Sequence, residues 1–306
     1  MCGALAWAQT DKTTYMTDIN GHRVAASTND ATPLPDGTVR REVSQSVNGR
    51  AVPLEKTEQH VTKSGTHTTT ETITHRYDPT GNLSLTERVV TEHDDLPGGS
   101  STESSRTYRS DVSGGMREME RRDVDTRVQG STTTQQTVVA RPGMDGSFQT
   151  AEKRSTESQK SGDRTDTKET VYRRSQNGDL YPALQQVKTE TKTGATTAAQ
   201  IADYEPSSLT GNLQLARQTV STSTVDKAGN ETREENLYAP AADGHIQENG
   251  APQQIKEQQL ITRRVASDGT VTETLGVRRP MPSDPTKLGG LQEISETVCK
   301  GKCVNP

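Results

Sequence analysis

The chain has 306 residues, 36 basic and 41 acidic side chains giving a net charge of −5, and only 27% hydrophobic residues. With one Phe and one Trp it lacks the large aromatics of a conventional thick-cored globule, and no basic stripe with interleaved aromatics points to nucleic acid. No run approaches the ~20 apolar residues of a membrane helix, and the apolar face and aromatic girdles of an outer-membrane barrel are missing, so the sequence reads as not membrane-spanning.

Residues 1–10 read as the remnant of a truncated signal peptide. Ala6-Trp7-Ala8 fits the small-x-small pattern before a cleavage point, with Gln9 as the new first residue. The positive n-region and most of the apolar h-region are absent. A lipoprotein reading of Cys2 has no lipobox to support it. This start points to a secreted, extracellular or cell-envelope protein.

From residue 11 to residue 279 the chain is a β-hairpin repeat. Gly65, Gly81, Gly98, Gly114, Gly130, Gly146, Gly162, Gly178, Gly194 and Gly211 recur every 16 or 17 residues. So regular a spacing of turn formers marks one structural unit copied many times, and together with the small net charge it opposes the disorder that low hydrophobicity would otherwise suggest. Gly21, Gly37 and Gly49 extend the series less regularly before it, and Gly229, Gly244 and Gly269 after it. Thr makes up 46 of the 306 residues, and Thr, Val, Ile and Tyr favour the pleated backbone over the helix. Each step therefore predicts one strand of ~10–12 residues and a turn.

The turns fall into two classes. One has the skeleton aromatic–turn–Gly-x-apolar: Tyr77 to Leu83, Tyr172 to Leu180, Tyr204 to Leu213, Tyr238 to Ile246, and Val139 to Phe148 as a variant. The other is small and polar, at Gly65, Gly130, Gly162 and Gly194. The repeat is thus a two-strand unit of about 32–33 residues. More than a dozen long strands cannot stay flat, so the predicted fold is an all-β antiparallel meander, coiled or spiralling, with a parallel β-solenoid as the alternative. Unpaired terminal strands would offer edges for self-association.

The segment Arg76-Tyr77-Asp78-Pro79-Thr80-Gly81-Asn82-Leu83 resembles the YD repeat of Rhs and teneurin-type proteins. The match is specific over this one unit; the other units keep the skeleton and lose the Asp. The resemblance implies a secreted or surface β-sheet that spirals on itself, in some members as a shell around cargo.

Residues 280–306 open with Pro280, Pro282 and Pro285, which stop a central strand, and end in a short segment readable as a strand or as one or two helical turns. Cys299-Lys300-Gly301-Lys302-Cys303 is the most specific local motif. Two Cys around a Gly turn form a candidate disulfide, with free thiols or a redox or metal site as the other readings.

The six His are scattered, the carboxylates too abundant to single out a pair, and phosphate, dinucleotide and nucleophile motifs are absent. The sequence therefore predicts no enzyme, no catalytic residue, no metal site and no cofactor. Its leading functional reading is a secreted or envelope structural protein, a stalk, fibre or matrix component. The alternative is a carbohydrate- or surface-binding module using one sheet face, with Tyr77, Tyr172, Tyr204 and Tyr238 in register.

Overall fold

The computed structural model describes residues 10–17, 23–48, 50–111, 113–175, 177–207, 209–238 and 255–301. Among them twenty strands follow in chain order: β1 (Thr10–Thr17), β2 (Arg23–Pro33), β3 (Val39–Val47), β4 (Arg50–Ser64), β5 (His67–Tyr77), β6 (Leu83–Asp95), β7 (Ser101–Ser110), β8 (Met116–Gln129), β9 (Thr132–Pro142), β10 (Phe148–Ser161), β11 (Arg164–Arg174), β12 (Leu180–Thr193), β13 (Thr196–Pro206), β14 (Leu213–Val225), β15 (Glu231–Tyr238), β16 (Ile255–Val265), β17 (Val271–Arg278), β18 (Pro280–Met281), β19 (Asp284–Leu288) and β20 (Gln292–Gly301).

Each strand pairs antiparallel with its successor, except that β17 passes over the small β18–β19 hairpin to pair with β20. Strand β20 then pairs with β1, from Thr10↔Gly301 to Met16↔Ser295. The result is a closed barrel of 18 strands. Antiparallel meandering is as the composition predicts, but the sheet neither spirals nor forms a parallel solenoid. Closure also removes the edges through which self-association was expected.

The two turn classes separate to opposite ends. Gly65, Gly130, Gly162 and Gly194 open two-residue hairpins at one end, with φ of 62°, 60°, 60° and 60°. A positive φ at the first central residue matches the right-handed twist of the strands it joins, and Gly adopts it without steric cost. At the other end, here the tyrosine end, three-residue turns dominate. The Asp78 N–H donates to the Asn82 carbonyl (2.9 Å) and the Gly81 N–H to the Asp78 carbonyl (2.9 Å), while the Asp78 carboxylate accepts the Thr80 N–H (2.8 Å) and Asn82 N–H (2.9 Å). Asp111–Gly115 and Ser175–Asp179 repeat the backbone pattern. The YD-like segment is therefore a hairpin turn of a closed barrel and not part of a Rhs-type spiral; aromatic, Asp and Gly are what this turn geometry selects.

The 18 pairings of the ring alternate in character. Nine contain a register shift, and these are the nine that lead into the tyrosine end. The other nine run straight. In each shifted pair the descending strand carries one extra residue, as Ala183 does between Tyr172↔Pro182 and Val171↔Leu184. Met119 and Ala151 do the same in their hairpins. A ring of bulges at one level bends every hairpin alike and increases the local twist, the device by which a long sheet curls to closure.

Eighteen strands ~4.8 Å apart and tilted ~40° make a ring ~35 Å across and ~30 Å tall. Among the described residues no large side chain is fully buried, and the accessible surface is 20103 Å². A packed monomer of this size would expose about 12,600 Å². The difference means that both sheet faces are wet and the barrel is hollow. Val124, Val139, Val171, Val277, Cys299, Ser105, Thr137 and Asp203 are the eight buried side chains among the described residues; Gly276, which has none, is buried as well. Carried round the ring by register, all eight lie on one face. Side chains converge on the concave side of a barrel, so this face lines the lumen.

Candidate functional site

The lumen wall is built from the alternate residues of each strand. Its middle is largely Thr and Val: Thr70, Thr72 and Thr74 on β5, Val89 and Thr91 on β6, and Thr137 and Val139 on β9. These residues stay extended because β-branched side chains fit the pleat. The Thr91 and Ser105 hydroxyls hydrogen-bond across β6–β7 at 2.8 Å, which saves polar groups from being left unpaired in the wall.

Just beyond the bulges the lumen face changes to paired charge. Glu55, Glu87, Glu120, Glu152 and Glu257 each follow the extra residue of their hairpin, and each faces an Arg on the next ascending strand or just past its end. The pairs are Arg76–Glu55 at 3.2 Å, Arg109–Glu87 at 2.8 Å, Arg141–Glu120 at 2.8 Å, Arg173–Glu152 at 3.6 Å and Arg279–Glu257 at 3.0 Å. A bulge is needed for this, because one added residue decides which side chain meets its neighbour across the strand. From β4 to β11 the charges alternate Glu, Arg, Glu, Arg around the ring. Hairpin β13–β14 carries the inverted version, Arg217–Asp203 at 2.6 Å, with Gln186 also donating to Asp203 at 2.8 Å.

The outward face has a different character. Tyr15, Tyr77, Tyr108, Phe148, Tyr172, Tyr204 and Tyr238 all lie on it toward the tyrosine end. Tyr172, Tyr204 and Tyr238 occupy equivalent places beside their bulges, together with Tyr15 and Tyr108; Tyr77 stands two residues nearer its turn. All are half-buried. The Arg121 guanidinium stacks on Phe148 at 3.9 Å and Arg23 on Tyr15 at 3.6 Å. Away from the tyrosine end the outward face mixes Thr with many charged side chains, paired across strands as in Arg88–Glu71 at 2.6 Å and Arg40–Glu58 at 3.1 Å, or along one strand as in Arg164–Asp166 at 2.8 Å.

Of the predicted cysteines, Cys299 is buried on the lumen face of β20 beside Val271 and Lys12. Cys303, Cys2 and the 1–9 segment lie outside the described residues. Among the described residues no group of three His, Cys, Asp or Glu is placed to hold a metal ion.

A hollow, closed, up-and-down antiparallel barrel with a polar lumen has the architecture of outer-membrane porins. One solved structure shows the correspondence of fold over nearly the whole chain, and a second stands beside it. OmpF of Salmonella typhi, solved as a complex with daunomycin, has a TM-score of 0.52 at 7% identity, covering 96% of this chain and 96% of that one. The outer membrane protein OpdK of Pseudomonas aeruginosa has a TM-score of 0.49 at 12% identity, covering 97% and 99%. No protein-family model matches the sequence, and no curated protein matches it.

This likeness of fold corrects four expectations. The chain does not share the Rhs fold. It is not built as a stalk or fibre, because a closed ring has no edge from which to polymerise. It is not built as a flat sheet offering one face for carbohydrate, because the tyrosines wrap the outside of a ring. The reading as secreted and not membrane-spanning is overturned as well. That no described helix is long and apolar enough to cross a membrane has no bearing on a barrel that crosses with its strands. The aromatics that the composition makes scarce are gathered as seven residues on the outward face toward one end, spaced about one per hairpin and so inconspicuous in the chain.

Proposed function

We propose that this chain is a porin-like channel of the outer membrane of a cell envelope, passing hydrophilic solutes through a water-filled lumen without catalysis. The observation that carries the reading is the closed 18-strand ring whose accessible surface of 20103 Å² leaves its inner face wet. A barrel of more than sixteen strands leaves an aqueous opening if nothing plugs it, and the ~30 Å wall matches the hydrocarbon thickness of a bilayer. The outward aromatics supply one interfacial girdle. An unpaired Arg or Lys facing lipid at mid-depth costs about 2–4 kcal/mol, and lateral pairing such as Arg88–Glu71 offsets part of it.

The direct test is reconstitution of the folded protein into planar bilayers and solute-loaded liposomes. Stepwise conductance with release of small sugars is the expected result. A folded β-rich protein that yields neither conductance steps nor solute release would overturn the proposal.

A further inference from the structure

We infer that the belt of Glu–Arg pairs at the bulge level keeps the pore from discriminating between anions and cations, and that each glutamate there masks an arginine that would otherwise select anions. This rests on the channel reading and assigns its ion preference to named residues.

The basis is geometric. Glu55, Glu87, Glu120 and Glu152 recur on one lumen level at the same place in successive hairpins, and each is 2.8 to 3.6 Å from its arginine. Charges that alternate in sign along this arc, from β4 to β11, cancel within about one strand spacing of the wall. At 0.1 M salt the screening length is about 10 Å, shorter than the ~15 Å from wall to axis of an 18-strand barrel. An ion near the axis therefore meets almost no net potential from the belt. Removing one sign changes this: an arc of unmasked guanidiniums has no local counter-charge, and Arg or Lys lining a pore favours anions. Removing the other sign leaves a carboxylate arc with the opposite preference.

The experiment is the reversal potential of single pores under a tenfold KCl gradient. The native protein, Glu120→Gln/Glu152→Gln, Arg141→Gln/Arg173→Gln and the single variant Glu87→Gln are compared. The native chloride-to-potassium permeability ratio is expected within ~twofold of unity, the glutamate double variant at least ~threefold toward chloride, and the arginine double variant at least ~threefold toward potassium. Glu87→Gln should give a smaller shift toward chloride, and it serves as the test if a double variant does not insert. Conducting variants that keep the native reversal potential, or a native pore already strongly selective, would overturn the inference while leaving the channel intact. A native protein that does not conduct would remove the channel reading itself.

Discussion

Arg217 and Asp203 meet across the β13–β14 pairing with Nη2 and Oδ2 2.6 Å apart; the Asp203 side chain is only 5% exposed while that of Arg217 is 57% exposed. In hairpin β13–β14 Arg217 occupies the place that Glu87 or Glu152 holds elsewhere, and its partner lies on the preceding strand instead of the following one. The bulge fixes the position and leaves the sign of the charge free, provided a counter-charge comes from one side or the other.

Arg217→Ala should therefore destabilise the barrel by about 2 kcal/mol, because among the described residues the buried carboxylate keeps only the Gln186 amide as a side-chain donor. The double variant Asp203→Asn/Arg217→Gln should cost less than the sum of its single variants. Urea unfolding midpoints check both, and an Arg217→Ala midpoint equal to native would show that the pair contributes nothing.

The two-residue turns give a second expectation. Gly162 sits at φ 60° with nothing within 4 Å of where a Cβ would stand, so crowding is not at issue and only backbone strain is. Gly162→Ala should cost about 1–2 kcal/mol, and Asp163→Gly, at a place without positive φ, should cost less. Equal losses in the two variants would sink this account of the turn.

Strong acid should loosen the turns as their aspartates take up protons. The Asp78 carboxyl is held down to about 2, first by the Thr80 hydroxyl and then by the Asn82 N–H. Asp111 and Asp145 are lowered by the equivalent Ser113 and Ser147 hydroxyls. A depressed folded-state value means that the contribution is complete above the unfolded value near 3.8 and is lost as pH falls toward 2. Unfolding midpoints should drop between pH ~4 and ~2, and Asp78→Asn should flatten part of that slope. An Asp78→Asn profile parallel to native would refute the assignment.

Deleting the extra residue of one bulge should do more damage than any substitution there. Without Ala183 the residues of β12 beyond it must either slip one place or turn to the opposite face, sending Leu184 and Gln186 outward. Loss of the folded barrel is expected for the Ala183 deletion, and near-native behaviour for Ala183→Ser. A deletion variant that folds and conducts normally would mean the bulge is dispensable.

Much of the architecture is legible in the chain, and the reason is periodicity. Gly65, Gly130, Gly162 and Gly194 mark one rim, while Tyr77, Tyr172 and Tyr204 precede the turns of the other. What composition conceals is closure. Whether β20 pairs with β1 depends on twist and shear summed over the whole sheet, and no single segment records that sum. The hollow interior also misleads, because a barrel without a solid core needs few apolar residues and therefore resembles a fibre or a disordered chain in composition. The charged belt did leave a trace: glutamate at 55, 87, 120 and 152 and arginine at 76, 109, 141 and 173 recur at 32 or 33 residues. It is visible only when residues are aligned by position within the hairpin and not by the glycine.

The pairing of β20 with β1 also makes closure depend on the final strand. A sheet assembled without β20 is open, with two adhesive rims, one on β1 and one on β17. No earlier strand can take the place of β20 without leaving others outside the ring. A chain whose β20 is missing or displaced is therefore a molecule poised to zip onto its neighbours.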